Sequence, residues 1–350
     1  MGFVALKGEK ADGHDFIPQA LERGAARIVD GLEELQTLAR DYRKTLKAKV
    51  VGITGSAGKT TTKELTRAFL SRVGRTFATE GNFNNHIGLP LTILNCPEDA
   101  DFLVVEMGSN HPGEIAALCE IAAPDVGLVT NVGTAHLEFF KTREGIAKEK
   151  GELLRRAPVG FSAADSEFLP GTVDVHQAWM ANALKGVLPG AHNVANACLA
   201  FAVAEHFGAT REQAVQALAD FALPGARWRR SERNGVVFID DTYNANPDSM
   251  IAALNALAAE PCTGRRVAVL GDMFELGENA IELHRRVFAH AMKLGLPLVI
   301  GVGPQSAQCV CHEVFEKLEP LKRRFRVMVS SGDVVLLKAS HAMKLGELLT

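Results

Sequence analysis

The chain predicts an α/β fold built from two parallel-sheet units, and three observations carry that expectation. Short apolar, β-branched runs (Val50–Ile53, Phe102–Glu106, Val126–Thr130) alternate with segments of helical period, as in a parallel sheet covered on both faces. A second alternation of the same kind resumes near residue 249 and has the size of a Rossmann-like unit. Between the first strand and first helix lies Thr54-Gly-Ser-Ala-Gly-Lys-Thr, a glycine turn opening directly into a helical pattern.

Taken in order, Phe3–Leu6 reads as a strand, Gly8–Gly13 as a polar turn and Phe16–Gly24 as a short helix. Ala26–Val29 reads as a second strand and Leu32–Leu46 as a helix. Residues 1–48 hold too little apolar surface for an independent core and read as the tail of a domain whose front is absent. From 49, strands are expected at 50–53, 102–106 and 126–130, and helices at 60–73, 113–122 and 143–156. The first of these helices places Leu65, Ala68, Phe69 and Val73 on one face. Residues 157–190 carry Pro158, Pro170 and Pro189 and no sustained period. Helices follow at 193–206 and 211–221, then a basic cluster (Arg227, Arg229, Arg230) and a strand at 236–240. The second unit reads as helix 249–259, strand 266–270, helix 279–294, strand 297–302 and helix 305–318. Strands at 325–329 and 333–337 and a short last helix complete it.

Composition narrows the function. The 350 residues suffice for two or three domains, and 47% hydrophobic with 23% charged residues is ordinary for a soluble protein. A net charge of −3 gives no electrostatic ground for a nucleic-acid or anionic-membrane partner. Six scattered cysteines without C-x₂-C pairing fit reduced thiols. No apolar run reaches the length of a membrane span, about 18 residues, and no signal-like N-terminus is present; the expected location is the cytoplasm.

The glycine turn carries the chemistry. Small residues at Gly55, Ser56, Ala57 and Gly58 let backbone N–H groups close around phosphate oxygens, and a helix N-terminus adds partial positive charge. Lys59 would reach the β/γ phosphates and the Thr60 hydroxyl would ligate Mg²⁺, with Thr61 beside it. The strict G-x-x-x-x-G-K-[ST] pattern needs glycine where this chain has Ile53, but strand, turn, Lys-Thr and helix together favour a phosphate loop over an ordinary βα turn. Glu106 ends a strand at the crevice edge and could complete a Mg²⁺ shell; a plain loop acid is its bland alternative. His136 lies just past the third strand, as a possible second-metal ligand or a satisfied structural histidine. Lys148 and Lys150 could neutralise phosphoryl charge or face solvent. The amide-rich loop Gly81-Asn-Phe-Asn-Asn-His-Ile-Gly-Leu-Pro suits a polar substrate, a phosphate or a turn. Asn193 and Asn196, then Arg227, Asp241, Tyr243, Asn244 and Asn246, are polar candidates that pattern alone does not rank. His86, His111, Cys309 and Cys311 form no defensible metal set.

Together these stretches resemble a known family. Gly52-Ile-Thr-Gly-Ser-Ala-Gly-Lys-Thr-Thr is similar to the ATP loop of Mur ligases and folylpolyglutamate synthetases. The amide-rich loop, Glu106-Met-Gly, Ala135-His-Leu-Glu, Lys150-Gly-Glu-Leu and His192-Asn-x-x-Asn extend the likeness. So do Phe3-Val-Ala-Leu-Lys-Gly-Glu and Asp12-Gly-His-Asp-Phe. Asp240-Asp-Thr-Tyr-Asn-Ala-Asn-Pro-Asp-Ser-Met and Leu270-Gly-Asp-Met-Phe-Glu-Leu-Gly-Glu narrow it to the Mur branch that adds D-alanyl-D-alanine to UDP-N-acetylmuramoyl-tripeptide.

The resemblance implies a three-domain architecture: residues 1–48 as a remnant uridine-binding domain, 49–226 as a P-loop parallel-sheet ATPase domain and 227–350 as a Rossmann-like domain. It implies ATP-dependent amide formation through an acyl phosphate in peptidoglycan precursor synthesis, by a cytoplasmic monomer. Thr60 and Glu106 would hold a first Mg²⁺ and His136 a second; Lys150 would be carbamylated and serve as a metal ligand. Asn193, Asn196, Arg227 and Asp241 would surround adenine, ribose and phosphate, with Tyr243 and Asn246 as neighbours. The short front, the short 157–190 stretch, His86 in place of an acid, and Lys338-Ala-Ser-His in place of Lys-Gly-Ser-Arg are departures. A sibling ligase for another amino acid, a P-loop kinase or regulatory NTPase, and a non-catalytic nucleotide-binding relative are the alternatives. The first is disfavoured by Asp-Thr-Tyr-Asn-Ala-Asn-Pro, the second by the joint presence of Glu106, His136 and Lys150, and the last by the retained Lys59 and Thr60.

Overall fold

The structure, a computed structural model, describes residues 2–8, 11–134 and 136–349. Glu9 and Lys10 of the expected polar turn, and Ala135 of Ala135-His-Leu-Glu, therefore lie outside the described residues.

At the N-terminus, β1 (Gly2–Ala5) and β2 (Arg27–Asp30) pair in parallel around α1 (Ile17–Glu22). Helix α2 (Gly31–Thr45) carries Glu33 and Glu34 in its first turn and Arg43 and Lys44 in its last, matching the helix dipole. Its buried face joins Ala39 to a core with Leu89, Ile93, Leu118 and Ile121. Arg43 Nε donates to the Ala122 carbonyl at 2.8 Å, and the Tyr42 hydroxyl to Cys96 O at 2.8 Å. The last helix before residue 49 is thus welded to the next unit.

That unit is a five-stranded, all-parallel sheet. β3 (Lys49–Thr54) is central, and α3 (Lys59–Leu70) follows the glycine turn. β4 (Thr76–Ala78), α4 (Gly88–Leu94), β5 (Phe102–Glu106), α5 (Glu114–Ala122), β6 (Val126–Val129), α6 (Leu137–Phe140), α7 (Arg143–Arg156) and β7 (Val159–Phe161) complete the alternation. The spatial order is β4-β5-β3-β6-β7, with Ile53 beside Glu106 and Thr54 beside Val129. The carboxyl ends of β3, β5 and β6 therefore open on one crevice, where ligands bind in such sheets. The edge strands β4 and β7, three residues each, are too short for a period count to find. Helix α3 ends at Leu70, so Val73 falls past it and is 39% exposed rather than on the buried face.

Helices α8 (Ala178–Ala183), α9 (Ala191–His206) and α10 (Arg211–Ala219) cover the other face of α3. Helix α9 is rich in alanine, so α3 approaches closely and the Phe69 and Phe201 rings meet edge-on at 6.2 Å. Glycine makes a second close approach possible: a Cβ at Gly52 or Gly127 would lie 2.9 Å from Leu153 Cδ1 or Leu153 O. Helix α7 consequently sits low on β3 and β6, carrying Lys150 toward the crevice.

In the C-terminal unit the six strands are β8 (Arg229–Arg233), β9 (Val236–Asp240), β10 (Arg266–Gly271), β11 (Leu298–Val302), β12 (Glu313–Phe315) and β13 (Val334–Lys338). Their order is β12-β11-β10-β13-β9-β8, parallel except for β8. Arg229 and Arg230 of the basic cluster become this exposed antiparallel edge, where charge discourages further strand pairing, while Arg227 lies before the strand. Helices α11 (Pro247–Ala259), α12 (Ala280–Lys293) and α13 (Leu318–Met328) flank the sheet.

Two expectations are corrected here. Residues 305–318 form a 3-10 turn (Ser306–Gln308) and β12, not a helix, and 325–329 belongs largely to α13, not a strand. Phe325-Arg-Val-Met-Val alternates like a strand, but Leu318, Leu321 and Phe325 share a helical face. Phe325 is 3% exposed while Val327 is 84% exposed; a strand would have put both on one face. Phe325→Ala is expected to cost about 3–5 kcal/mol of stability and Val327→Ser under about 0.5. Urea denaturation of the two variants checks this, and equal losses would contradict the helix.

Candidate active site

The glycine turn is held from two sides. Ala57 N–H donates to Asn131 Oδ1 at 3.1 Å, and Ala57 O accepts from Thr130 Oγ1 at 2.6 Å. Gly58 adopts a left-handed φ of 78°, and a Cβ there would stand 2.6 Å from Asn196 Oδ1. Glycine alone lets the turn rest on Asn196, which is the floor of the loop. No side chain caps the N-terminus of α3, so its first-turn amides remain for an anion. Lys59 Nζ curls back to Gly55 O at 2.8 Å. Burial lowers its pKa, the nearby Arg227 lowers it further, and Glu106 opposes both.

At the crevice floor the Thr60 hydroxyl donates to Glu106 Oε2 at 2.7 Å, and both residues are buried. The other carboxylate oxygen, Oε1, accepts from Asn84 Nδ2 at 2.8 Å. Arg227 Nη2 reaches Thr60 Oγ1 at 3.1 Å from the far side. A hydroxyl and a carboxylate so juxtaposed are hard oxygen donors suited to Mg²⁺. His136, at the start of α6, has φ 59°, and its Nδ1 lies 2.7 Å from Glu275 Oε2. The two atoms are in contact without the alignment of a hydrogen bond.

Lys150 stands one layer deeper. It is 1% exposed, with Nζ 2.6 Å from Ser109 Oγ and 5.6 Å from the Phe140 ring centroid, whereas Lys148 faces solvent. Burial, then the charge of Lys59, pushes its pKa down to about 7 against the pull of Glu149 and Glu114. Ser109, not Lys150, forms the crevice wall.

The opposite wall belongs to the C-terminal unit. Arg227 stacks on Tyr243, its guanidinium carbon 3.4 Å from the ring centroid. Asp241 Oδ2 accepts from the buried Lys338 at 2.6 Å, and Asp241 Oδ1 from Trp228 N–H at 3.3 Å. Asn246 caps α11 by accepting Ser249 N–H at 2.9 Å, and its amide reaches Ser56 O at 3.5 Å. On α9, Asn193 Nδ2 donates to Pro189 O at 2.7 Å, leaving its carbonyl oxygen for a ligand. The crevice between the units encloses about 1040 Å³. Ser56 through Thr61, Glu106, His136, Asn193, Asn196, Arg227, Asp241, Tyr243 and Asn246 all line it; Gly55 lies just behind. Asn84, Ser109, Asp248, Glu275 and Lys338 are site residues that residue-by-residue reading passed over. Asn84, Asp248, Glu275 and Lys338 lie within a quoted motif and Ser109 directly follows one, so the motifs were their one visible sign.

Comparison with known proteins agrees with this geometry. The Mur ligase family catalytic-domain profile matches residues 1–70, the Mur ligase middle domain 53–169, and the Mur ligase glutamate ligase domain 226–341. The UDP-N-acetylmuramoyl-tripeptide–D-alanyl-D-alanine ligase of Bacillus subtilis is 34% identical, over 99% of this chain and 89% of its own. That of Escherichia coli is also 34% identical, over the same shares. The MurF crystal structure from Acinetobacter baumannii superposes with a TM-score of 0.87 at 29% identity, covering 99% of this chain and 89% of that one. The Thermotoga maritima MurF ligase in complex with ADP gives 0.85 at 30% identity, covering 99% and 92%. The chain belongs to the Mur ligase family, in its UDP-N-acetylmuramoyl-tripeptide–D-alanyl-D-alanine ligase branch.

Proposed function

We infer that this chain uses ATP to join D-alanyl-D-alanine to the terminal carboxylate of UDP-N-acetylmuramoyl-tripeptide, a step of peptidoglycan precursor synthesis. The observation that carries the reading is one crevice, between two sheet units, lined by Lys59, Thr60, Glu106, His136 and Arg227.

The first-turn amides of α3 and Lys59 hold the β and γ phosphates in line with the incoming carboxylate. A carboxylate oxygen bonds to the γ phosphorus as the bond to the bridging oxygen breaks, giving an acyl phosphate and ADP. Arg227, stacked on Tyr243, supplies a second fixed cation from the C-terminal wall. The amine of D-alanyl-D-alanine then attacks the acyl carbon; phosphate leaves with its bonding pair and the amine loses a proton.

Mg²⁺, when bound, neutralises phosphate charge as a Lewis acid. Thr60 and Glu106 would hold one ion and His136 a second, a donor set that fits oxygen and imidazole ligation. Lys150, with its pKa near 7, is substantially neutral at physiological pH and so able to add CO₂ as a carbamate, a further anionic ligand. Asn193, Asn196 and Asp241 suit contacts to base and ribose. The division at residues 48 and 226, a monomer, and a cytoplasmic setting belong to the same reading; among the described residues no helix is long and apolar enough to cross a membrane.

Phosphate release from ATP tests the reaction. It is expected to require both UDP-N-acetylmuramoyl-tripeptide and D-alanyl-D-alanine and to yield the pentapeptide product. Turnover indifferent to both would replace the ligase with a simple NTPase.

A further inference from the structure

The segment carrying His136 is held in place from the other side of the crevice. Asp248, in the first turn of α11, accepts from Thr134 N–H at 2.7 Å and from Thr134 Oγ1 at 3.0 Å through one oxygen, Oδ2. A Cβ on Gly133 would stand 2.3 Å from that same oxygen, so the approach is as close as the backbone permits. Glu275 lies 2.7 Å from His136 Nδ1, and Gly277 packs so that a Cβ would be 3.1 Å from Glu138 Cβ. His136 and Glu275 both adopt left-handed backbone conformations, with φ of 59° and 62°. Non-glycine residues hold that conformation at a cost of order 1 kcal/mol each, and surrounding contacts must over-determine it.

We propose that Asp248 and Glu275 are positioning residues that set His136 for the second divalent cation, so that this ligand is fixed only when the C-terminal unit closes on the middle unit. The proposal rests on the reading of His136 as a metal ligand. With Nδ1 buried against Glu275 and His136 on the crevice wall, Nε2 is the nitrogen left to take a cation. A small turn of the ring would align Nδ1–H with Glu275 Oε2, 2.7 Å away; a carboxylate so placed fixes the tautomer and orientation of a metal-binding histidine, and its loss typically weakens metal affinity about 10–100-fold. Here that carboxylate comes from a different sheet unit than the histidine. Asp248 pins the backbone two residues upstream of His136, which keeps the ring from swinging with its loop. The same loop also meets the phosphate turn, Gly133 N–H donating to Ser56 Oγ at 2.9 Å, so Asp248 steadies that turn as well as His136, whereas Glu275 acts through His136.

Mn²⁺ binding to the full chain saturated with ADP tests this, with free Mn²⁺ read from its aqueous electron paramagnetic resonance signal. The parent and Glu275→Gln, Asp248→Asn and His136→Ala variants are compared, each with its melting temperature. His136→Ala is expected to lose the weaker of two Mn²⁺ sites. Glu275→Gln, which keeps the shape but not the charge, is expected to weaken that site at least tenfold, and Asp248→Asn to weaken it several-fold. The tighter site and the melting temperature, within about 2 °C, should stay unchanged. A Glu275→Gln variant that binds both ions like the parent, while His136→Ala loses one, overturns the positioning role and leaves the metal-ligand reading intact. Unaltered binding in His136→Ala overturns both. If Asp248→Asn does not fold, Glu275→Gln alone decides.

Discussion

Lys150→Ala is expected to abolish ligation, lowering kcat by about 10³-fold or more while ADP still binds. The size of the effect follows from where the amine sits. Lys150 is fully buried among Ser109, Phe140 and the underside of the crevice wall, with Lys59 as a like-charged neighbour. An ammonium is poorly solvated there, which is why its pKa falls to about 7 from the usual 10.4 or so. On the proposed reading, a carbamate at the same atom would be attracted to Lys59 instead of repelled by it, so CO₂ capture would convert an unfavourable contact into a favourable one. The sign of the pH dependence follows. Below pH 7 the amine keeps its proton and cannot add CO₂; above it the neutral form is available. Activity at limiting bicarbonate should therefore climb as pH passes from 6 to 8. Stability follows a linked course. The unfolded chain holds this proton up to its ordinary pKa and the folded chain releases it near 7, so stability gains with rising pH across that window. The destabilising effect is complete below it. Lys150→Met should remove this slope in urea midpoints taken between pH 7 and 10. Two outcomes would sink the carbamate reading: a Lys150→Ala enzyme keeping a tenth of its turnover, or a parent enzyme indifferent to thorough CO₂ removal.

The fold was legible in the sequence wherever one rule acted alone. β3, β5 and β6 are continuous apolar runs, and buried parallel strands leave no competing pattern. The swap at residues 305–329 arose where two periods coincide: Phe325, Val327 and Val329 alternate, but the helix phase of Leu318, Leu321 and Phe325 prevails because Pro320 suits an early helix turn and not a strand. At the site, Lys59, Thr60 and Glu106 were readable because consecutive residues or a strand end determine their positions. Glu275 and Asp248 were not, since their partners His136 and Thr134 lie 139 and 114 positions away and no local period encodes such a pairing. Lys338 was noted only as part of a departure from the family pattern. The structure makes it the cation that fixes Asp241, with Nζ also 3.0 Å from Asn244 O.

Lys59→Ala is expected to lower kcat/KM for ATP by about 10³-fold, with most of the loss in kcat. Lys59 Nζ rests on Gly55 O, a carbonyl of its own loop, at 2.8 Å. The contact holds the ammonium over the turn before any nucleotide arrives, so little ordering remains to be done when phosphate binds. Burial and Arg227 weaken its hold on its proton in the free protein, yet a triphosphate brings several negative charges into the same low-dielectric space. The interaction therefore grows with ligand charge and is largest where charge gathers on the transferring group, which is the condition for lowering a barrier and not merely a KM. Arginine should not replace it. The guanidinium of Arg227 already occupies the opposite wall at Thr60, and a second planar fork needs more room than an ammonium folded onto Gly55 O leaves. Lys59→Arg is accordingly expected to stay within tenfold of the alanine variant, whereas Arg227→Lys, on the open side, should retain far more activity. Steady-state rates for the three variants at saturating D-alanyl-D-alanine separate these cases. If Lys59→Arg proved nearly wild type, point-charge neutralisation anywhere near the phosphates would suffice, and the placement of the ammonium over Gly55 would carry no weight in the rate.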